Sequence, residues 1–211
     1  MSREKQQALQ AYGAELVVCP PAPHDDPRNY HAQAEALART IPGAFMPNQY
    51  FNTANPEAHY RGLGPEIWRG TKGRITHYVA AAGTGGQVSG VGRYLKERKP
   101  SVRVIAVDAA GSFHATRGRP EPYQMEGIGI DFQTPCLNEA VIDEFVAVSD
   151  AEGLGMLRTM ASEHGLLLGP SSGAVAYAIH NNLLNLKEDS LVVAVFSDSG
   201  RAYLSKDYYG R

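Results

Sequence analysis

Between Ile75 and Lys99 an apolar run, "ITHYVAAA", breaks at Gly-Thr-Gly-Gly and passes at once into a helix-like pattern, "VSGVGRYLK". This strand, glycine turn and helix constrain the fold more than any other stretch. A parallel neighbour for such a strand needs a crossover connection, usually a helix. The same alternation recurs along the chain. Strands are expected at Ala14–Pro20, Phe45–Tyr50, Ile75–Ala82, Val102–Asp108, Glu144–Val148 and Ser190–Phe196. Helices are expected at Ser2–Tyr12, Asp26–Thr40, Gly64–Arg69, Val88–Lys99, Ala151–Gly165 and Ser172–Asn185. The segments "FNTANPEAHYRG" and Gly111–Gln124 read as loops. The class is α/β, with a parallel sheet flanked by helices.

The first ~50 residues supply only about two strands, too few for a stable parallel sheet. They read as the remnant of a small α/β domain (residues 1–50), ahead of a large α/β domain (residues 51–211). Association through uncovered apolar faces of Ala14–Pro20 is expected.

Composition narrows function by exclusion. The net charge of −2 over 211 residues gives no electrostatic case for nucleic acid or an anionic membrane. The opening "MSREKQQALQ" lacks the apolar core of a signal peptide. The two cysteines, Cys19 and Cys136, match no metal-ligand spacing. A cytoplasmic protein without a metal site is the expectation.

A glycine turn opening a helix points free N–H groups and the helix dipole at an anion, usually phosphate. Thr84 adds a hydroxyl, and Gln87 and Ser89 are further donors. A tight turn that only packs helix on strand is the plainer alternative. The dinucleotide fingerprint fails, because Gly83 and Gly85 fit but the third position is Val88. Asp108, where a ribose-binding carboxylate would sit, keeps a nucleotide reading open, with a polar strand end as the simpler reading.

Five motifs occur in order: "NQYFNTANPEAHY" (Asn48–Tyr60), "GTGGQVSG" (Gly83–Gly90), "EGIGIDF" (Glu126–Phe132), "GPSSGA" (Gly169–Ala174) and "SDSGRAYLS" (Ser197–Ser205). Together they resemble the cysteine synthase and cystathionine β-synthase family of fold-type II pyridoxal-phosphate enzymes, which share the fold of the tryptophan synthase β subunit. The resemblance implies pyridoxal phosphate as cofactor. It implies β-replacement on serine or an activated serine, a small amino-acid substrate, and a homodimer. It assigns the cofactor's phosphate to Gly83, Thr84, Gly85, Gly86 and Gln87, the last usually Thr in the family. Ser171 would face the pyridine nitrogen, Gly127 and Gly129 would let backbone pass the cofactor face, and Gln49 would bind the substrate carboxylate. Asp198 and Ser199 would lie at a crevice-forming strand end. His59 and Ser172 read as structural, Ser172 as a helix cap. "VDAAGS" and "EGIG" resemble the cystathionine β-synthase branch, but Ile130 stands where an aromatic is frequent, so homocysteine and sulfide both remain open as nucleophile.

The resemblance places the family's Schiff-base lysine in a segment ahead of "MSREK". None of Lys5, Lys72, Lys96, Lys99, Lys187 and Lys206 sits in a matching motif. No catalytic residue is therefore assigned. The expectation is a chain with a truncated N-terminal subdomain, inactive alone, with a phosphate-binding remnant or one half of a split enzyme, completed by an N-terminal partner half, as alternatives.

Overall fold

The computed structural model describes residues 1–210. Its centre is a four-stranded parallel sheet in the order β3-β2-β1-β4, built from β1 (His77–Ala81), β2 (Arg103–Ala109), β3 (Glu144–Val148) and β4 (Val192–Ala194). Side chains alternate across it, as a pleated strand requires. Tyr78, Ala80, Val104 and Ala106 enter one core with Val88, Val91 and Leu95 of helix α5 (Gly86–Arg98). Val79, Ile105 and Val107 enter the other with Ala174, Val175 and Ala178 of helix α7 (Pro170–His180). A sheet covered on both faces explains why these strands read as continuous apolar runs.

Helix α6 (Asp150–His164) is started by a capping box between Ser149 and Glu152 and stopped by left-handed Gly165. It lies so close to α7 that a Cβ on Gly173 would sit 2.5 Å from the Gly153 carbonyl oxygen. Glu152 accepts from the Ser149 hydroxyl and backbone N–H and from the Tyr177 hydroxyl, which hold its pKa below the ordinary value of 4.5. A lowered carboxyl pKa contributes stability present above its unfolded value and lost as pH falls through its folded one. Ser149→Ala should lower stability by about 1 kcal/mol near neutrality, and Glu152→Gln should flatten the loss of stability below the ordinary glutamate range. Urea melts across pH 3–7 check both.

Four expectations are corrected. Ala14–Pro20 forms no strand, and Val17 and Val18 are 53 % and 65 % exposed. Phe45–Tyr50 forms no strand but ends in a turn with Asn48 at φ 49°. The expected loop after Phe51 contains helix α3 (Ala54–Arg61), which runs on to α4 (Leu63–Thr71). Pro56 lies in the first turn of α3, where a missing N–H breaks no helical bond. The second helix, α2 (Tyr30–Thr40), starts later than Asp26 because the Asn29 side chain caps it on the His31 N–H. The first helix, α1 (Arg3–Ala11), has Ser2 as N-cap, as expected.

Candidate cofactor site

The expected site residues converge at the carboxyl-terminal ends of β1 and β2, where ligand crevices form in parallel sheets. Gly85 is the N-cap of α5 and is left-handed, with φ 79°. A Cβ there would lie 2.6 Å from the Leu137 Cβ, so conformation and space both require glycine. The Gly86 N–H turns back to the Thr84 hydroxyl at 3.2 Å, while the Ser89 N–H already bonds the Gly85 carbonyl. The N–H groups of Gln87 and Val88 thus stand at the open end of the helix without intrahelical acceptors. That is the geometry of an anion cradle.

Gly83, Gly127 and Ser171 stand in a row. A Cβ on Gly83 would meet the Gly127 carbonyl oxygen at 3.1 Å, and one on Gly127 would lie 3.8 Å from Ser171 Oγ. Gly127 and Gly129 are both left-handed, with φ 84° and 72°. The Gly129 N–H bonds the Ala82 carbonyl at 2.8 Å, which pins "EGIG" beside the glycine turn. Ser171 is 4 % exposed on the first turn of α7. Gln49 is exposed and is brought alongside by Asn55, whose amide donates to the Gln49 carbonyl at 2.7 Å and to the Thr84 hydroxyl at 2.9 Å.

Ser172 takes another role than expected, while Ser89, Asp108 and His59 are held in the surrounding structure. Ser172 does not cap α7: its Oγ accepts the Ser197 N–H at 3.1 Å, and Gly169 is the N-cap. Ser89 is buried and its hydroxyl accepts the Asn138 N–H at 2.8 Å, which ties it to the 134–138 loop. Asp108 is 3 % exposed, accepts from the Ser112 hydroxyl and the Ala109 N–H, and is pushed up in pKa by burial. A cavity of about 140 Å³ adjoins it, lined by Gly83, His114, Glu139 and Phe145 among others. A carboxylate already tied to its own turn is poorly placed to hold a ribose. His59 is partly buried against α5, and burial lowers its pKa.

Asn55 is the contact that the sequence reading left without a role. A Cβ on Gly86 would fall 2.0 Å from Asn55 Oδ1, so the glycine leaves room for this amide to brace the turn. Cys136 adds a second brace: its buried thiol donates to the Asn52 carbonyl at 3.4 Å and the Gln49 carbonyl at 3.6 Å. Its pKa is raised by burial, which suits a packing role rather than a nucleophile.

This donor set fits pyridoxal phosphate. A dianionic phosphate matches the unpaired helix N–H groups and the Thr84 hydroxyl. The side-chain-free Gly127 leaves room beside a buried serine hydroxyl able to bond a ring nitrogen.

Comparison with known proteins agrees. The pyridoxal-phosphate dependent enzyme family matches residues 1–198. A cysteine synthase of Helicobacter pylori (strain J99) is 38 % identical over 208 residues, covering 99 % of this chain and 67 % of that protein. A cystathionine beta-synthase of Apis mellifera is 38 % identical over 98 % of this chain and 42 % of its own length. The crystal structure of an O-acetylserine dependent cystathionine beta-synthase from Helicobacter pylori superposes with a TM-score of 0.90 at 39 % identity, over 99 % of this chain and 67 % of that one. By family match, sequence identity and fold, the chain belongs to the pyridoxal-phosphate dependent enzymes, among the cysteine synthases and cystathionine β-synthases.

Proposed function

We propose that this chain forms the cofactor-binding part of an enzyme of β-replacement, acting on serine or an activated serine in cysteine metabolism. The observation that carries the reading is the row Gly83–Gly127–Ser171 beside the left-handed Gly85 turn. Bound pyridoxal phosphate would supply an electron sink for bonds at the α-carbon of an amino acid. Gly83, Thr84, Gly85, Gly86 and Gln87 hold its phosphate, and Gly127 and Ser171 hold and orient its ring. The Ser171 hydroxyl is neutral, so it bonds the ring nitrogen without keeping it protonated as a carboxylate would. That favours loss of a β-substituent, whose departure carries charge away, over transamination. Gln49 faces the substrate carboxylate. In this reading residues 1–50 are the remnant of a small α/β domain and residues 51–211 the large cofactor-binding unit.

No lysine amine is free beside the cradle among the described residues. Lys5 donates to the Tyr203 hydroxyl, Lys96 to Asp143, Lys99 to the Ile75 carbonyl, and Lys206 pairs with Glu126. Lys72 and Lys187 are exposed. The amine that exchanges a proton at the α-carbon is then outside these residues, on a preceding segment of a longer protein or on a complementing half, and the exposed Val17 and Val18 offer an apolar edge for either. The experiment is borohydride treatment with pyridoxal phosphate, followed by peptide mass mapping. No lysine of this chain should be labelled, and O-acetylserine with sulfide or homocysteine should give no product until a partner segment is added. A labelled lysine, or turnover by the chain alone, would overturn this.

A further inference from the structure

Helix α1 buries none of its own residues, yet it is held to the carboxyl-terminal segment by a dense set of polar contacts. Glu4 accepts from the Ser205 N–H at 2.5 Å and its hydroxyl at 2.8 Å. Lys5 Nζ donates to the Tyr203 hydroxyl at 2.6 Å and lies over the same ring, 4.3 Å from its centroid. That hydroxyl donates in turn to Asp198 Oδ2 at 2.5 Å. The Lys5 ammonium is 3.8 Å from Asp198 Oδ2 and 3.9 Å from Glu126 Oε2. Glu126 Oε2 also accepts the Ser2 N–H at 3.2 Å, and Lys206 stands 3.0 Å from Oε1.

The two carboxylates that meet at Lys5 occupy informative places. Glu126 is bonded directly to Gly127. Asp198 Oδ1 is buried without a hydrogen-bond partner and lies 1.8 Å from where a Gly169 Cβ would be, two residues before Ser171. The Gly169 N–H also bonds the Asp198 carbonyl at 3.1 Å. One ammonium therefore sits between the supports of both ring-facing turns. Without it Glu126 would keep Lys206 and the Met1 ammonium, 3.8 Å from Oε1, while Asp198 would keep only the Tyr203 hydroxyl and lose the cation that links it to Glu126.

We infer that Lys5 is a positioning residue. Its ammonium draws Glu126 and Asp198 together, and so sets the Gly127 and Gly169–Ser171 turns at the spacing that the cofactor ring needs. Helix α1 is thereby an electrostatic latch on the site, held by charge rather than by an apolar face. The effect on cofactor retention rests on the function proposed above; the latch itself does not.

The test compares the full chain with Lys5→Met, Lys5→Arg and, as a control at a remote ion pair, Lys96→Met, which removes the contact to Asp143. Amide exchange of residues 4–12 is followed by mass spectrometry at low salt and in high salt, and pyridoxal phosphate retention by equilibrium dialysis. Lys5→Met should speed exchange in α1 by roughly tenfold and weaken pyridoxal phosphate about fivefold. High salt should reproduce the exchange change in the wild type and add little in Lys5→Met. Lys5→Arg should restore both, and Lys96→Met should change neither. Unchanged exchange in Lys5→Met overturns the latch. Faster exchange with unchanged retention, or failure of arginine to rescue, overturns the positioning role. If the wild type retains no pyridoxal phosphate, the proposed function and the positioning role fail together, while the exchange data still decide the latch.

Discussion

Gly85→Ala should weaken retention of pyridoxal phosphate about hundredfold while leaving the chain folded. The left-handed conformation costs a non-glycine residue about 1 kcal/mol or more. The new Cβ would also meet the Leu137 Cβ at 2.6 Å and its Cα at 2.8 Å, and a backbone atom cannot swing aside. Either the turn flattens or the 134–138 loop moves, and both misdirect the Gln87 and Val88 N–H groups. A combined cost near 3 kcal/mol corresponds to about a hundredfold in affinity. Equilibrium dialysis measures it, and circular dichroism confirms that the helices remain. Gly155→Ala is the matched control: no atom lies within 4 Å of its Cβ position, it is exposed in mid-helix, and helix propensity predicts a gain of up to about 1 kcal/mol.

Gly90→Ala should be the most destabilising single methyl in the molecule's centre. Propensity alone would favour alanine inside α5 by about 1 kcal/mol. Packing decides the other way. The added carbon would sit 2.1 Å from the Pro56 carbonyl oxygen and 3.0 Å from the His59 Cβ. Helix α3 would have to lift off α5, and overpacking of this kind costs about 3 kcal/mol or more when backbone must move. Because α3 carries Asn55, the brace on Thr84 and Gln49 would go with it. Urea unfolding should show the loss in the midpoint, and cofactor retention should fall in step.

The sheet was legible because its strands are buried on both faces and read as unbroken apolar runs. The Gly83–Gly86 turn was legible because few residues other than glycine tolerate such backbone. What failed was local pattern without a partner. "AELVVCP" has the composition of a strand, but a strand needs a neighbouring ladder, and none pairs with it among the described residues. The Pro56 segment carries no clear apolar periodicity, so it reads as a loop; proline is tolerated there because it lies in the first turn of α3, where no helical bond is lost. Of the site, the motifs marked Ser171 and Gly127, and the structure set them side by side. Asn55 and Lys5 were not legible as site residues. Their roles arise from contacts 29 and 198 positions away in the chain, which no local spacing encodes.

A phosphate at the open end of α5 is what the proposed function requires above all. The most direct measurement is equilibrium dialysis of the purified chain against pyridoxal phosphate and, separately, against pyridoxal, which lacks the phosphate. A phosphate cradle gives saturable binding of pyridoxal phosphate, displaced by inorganic phosphate and about hundredfold weaker in Gly85→Ala, with pyridoxal at least tenfold weaker than the phosphate ester. Equal binding of the two, or binding indifferent to Gly85, would contradict it.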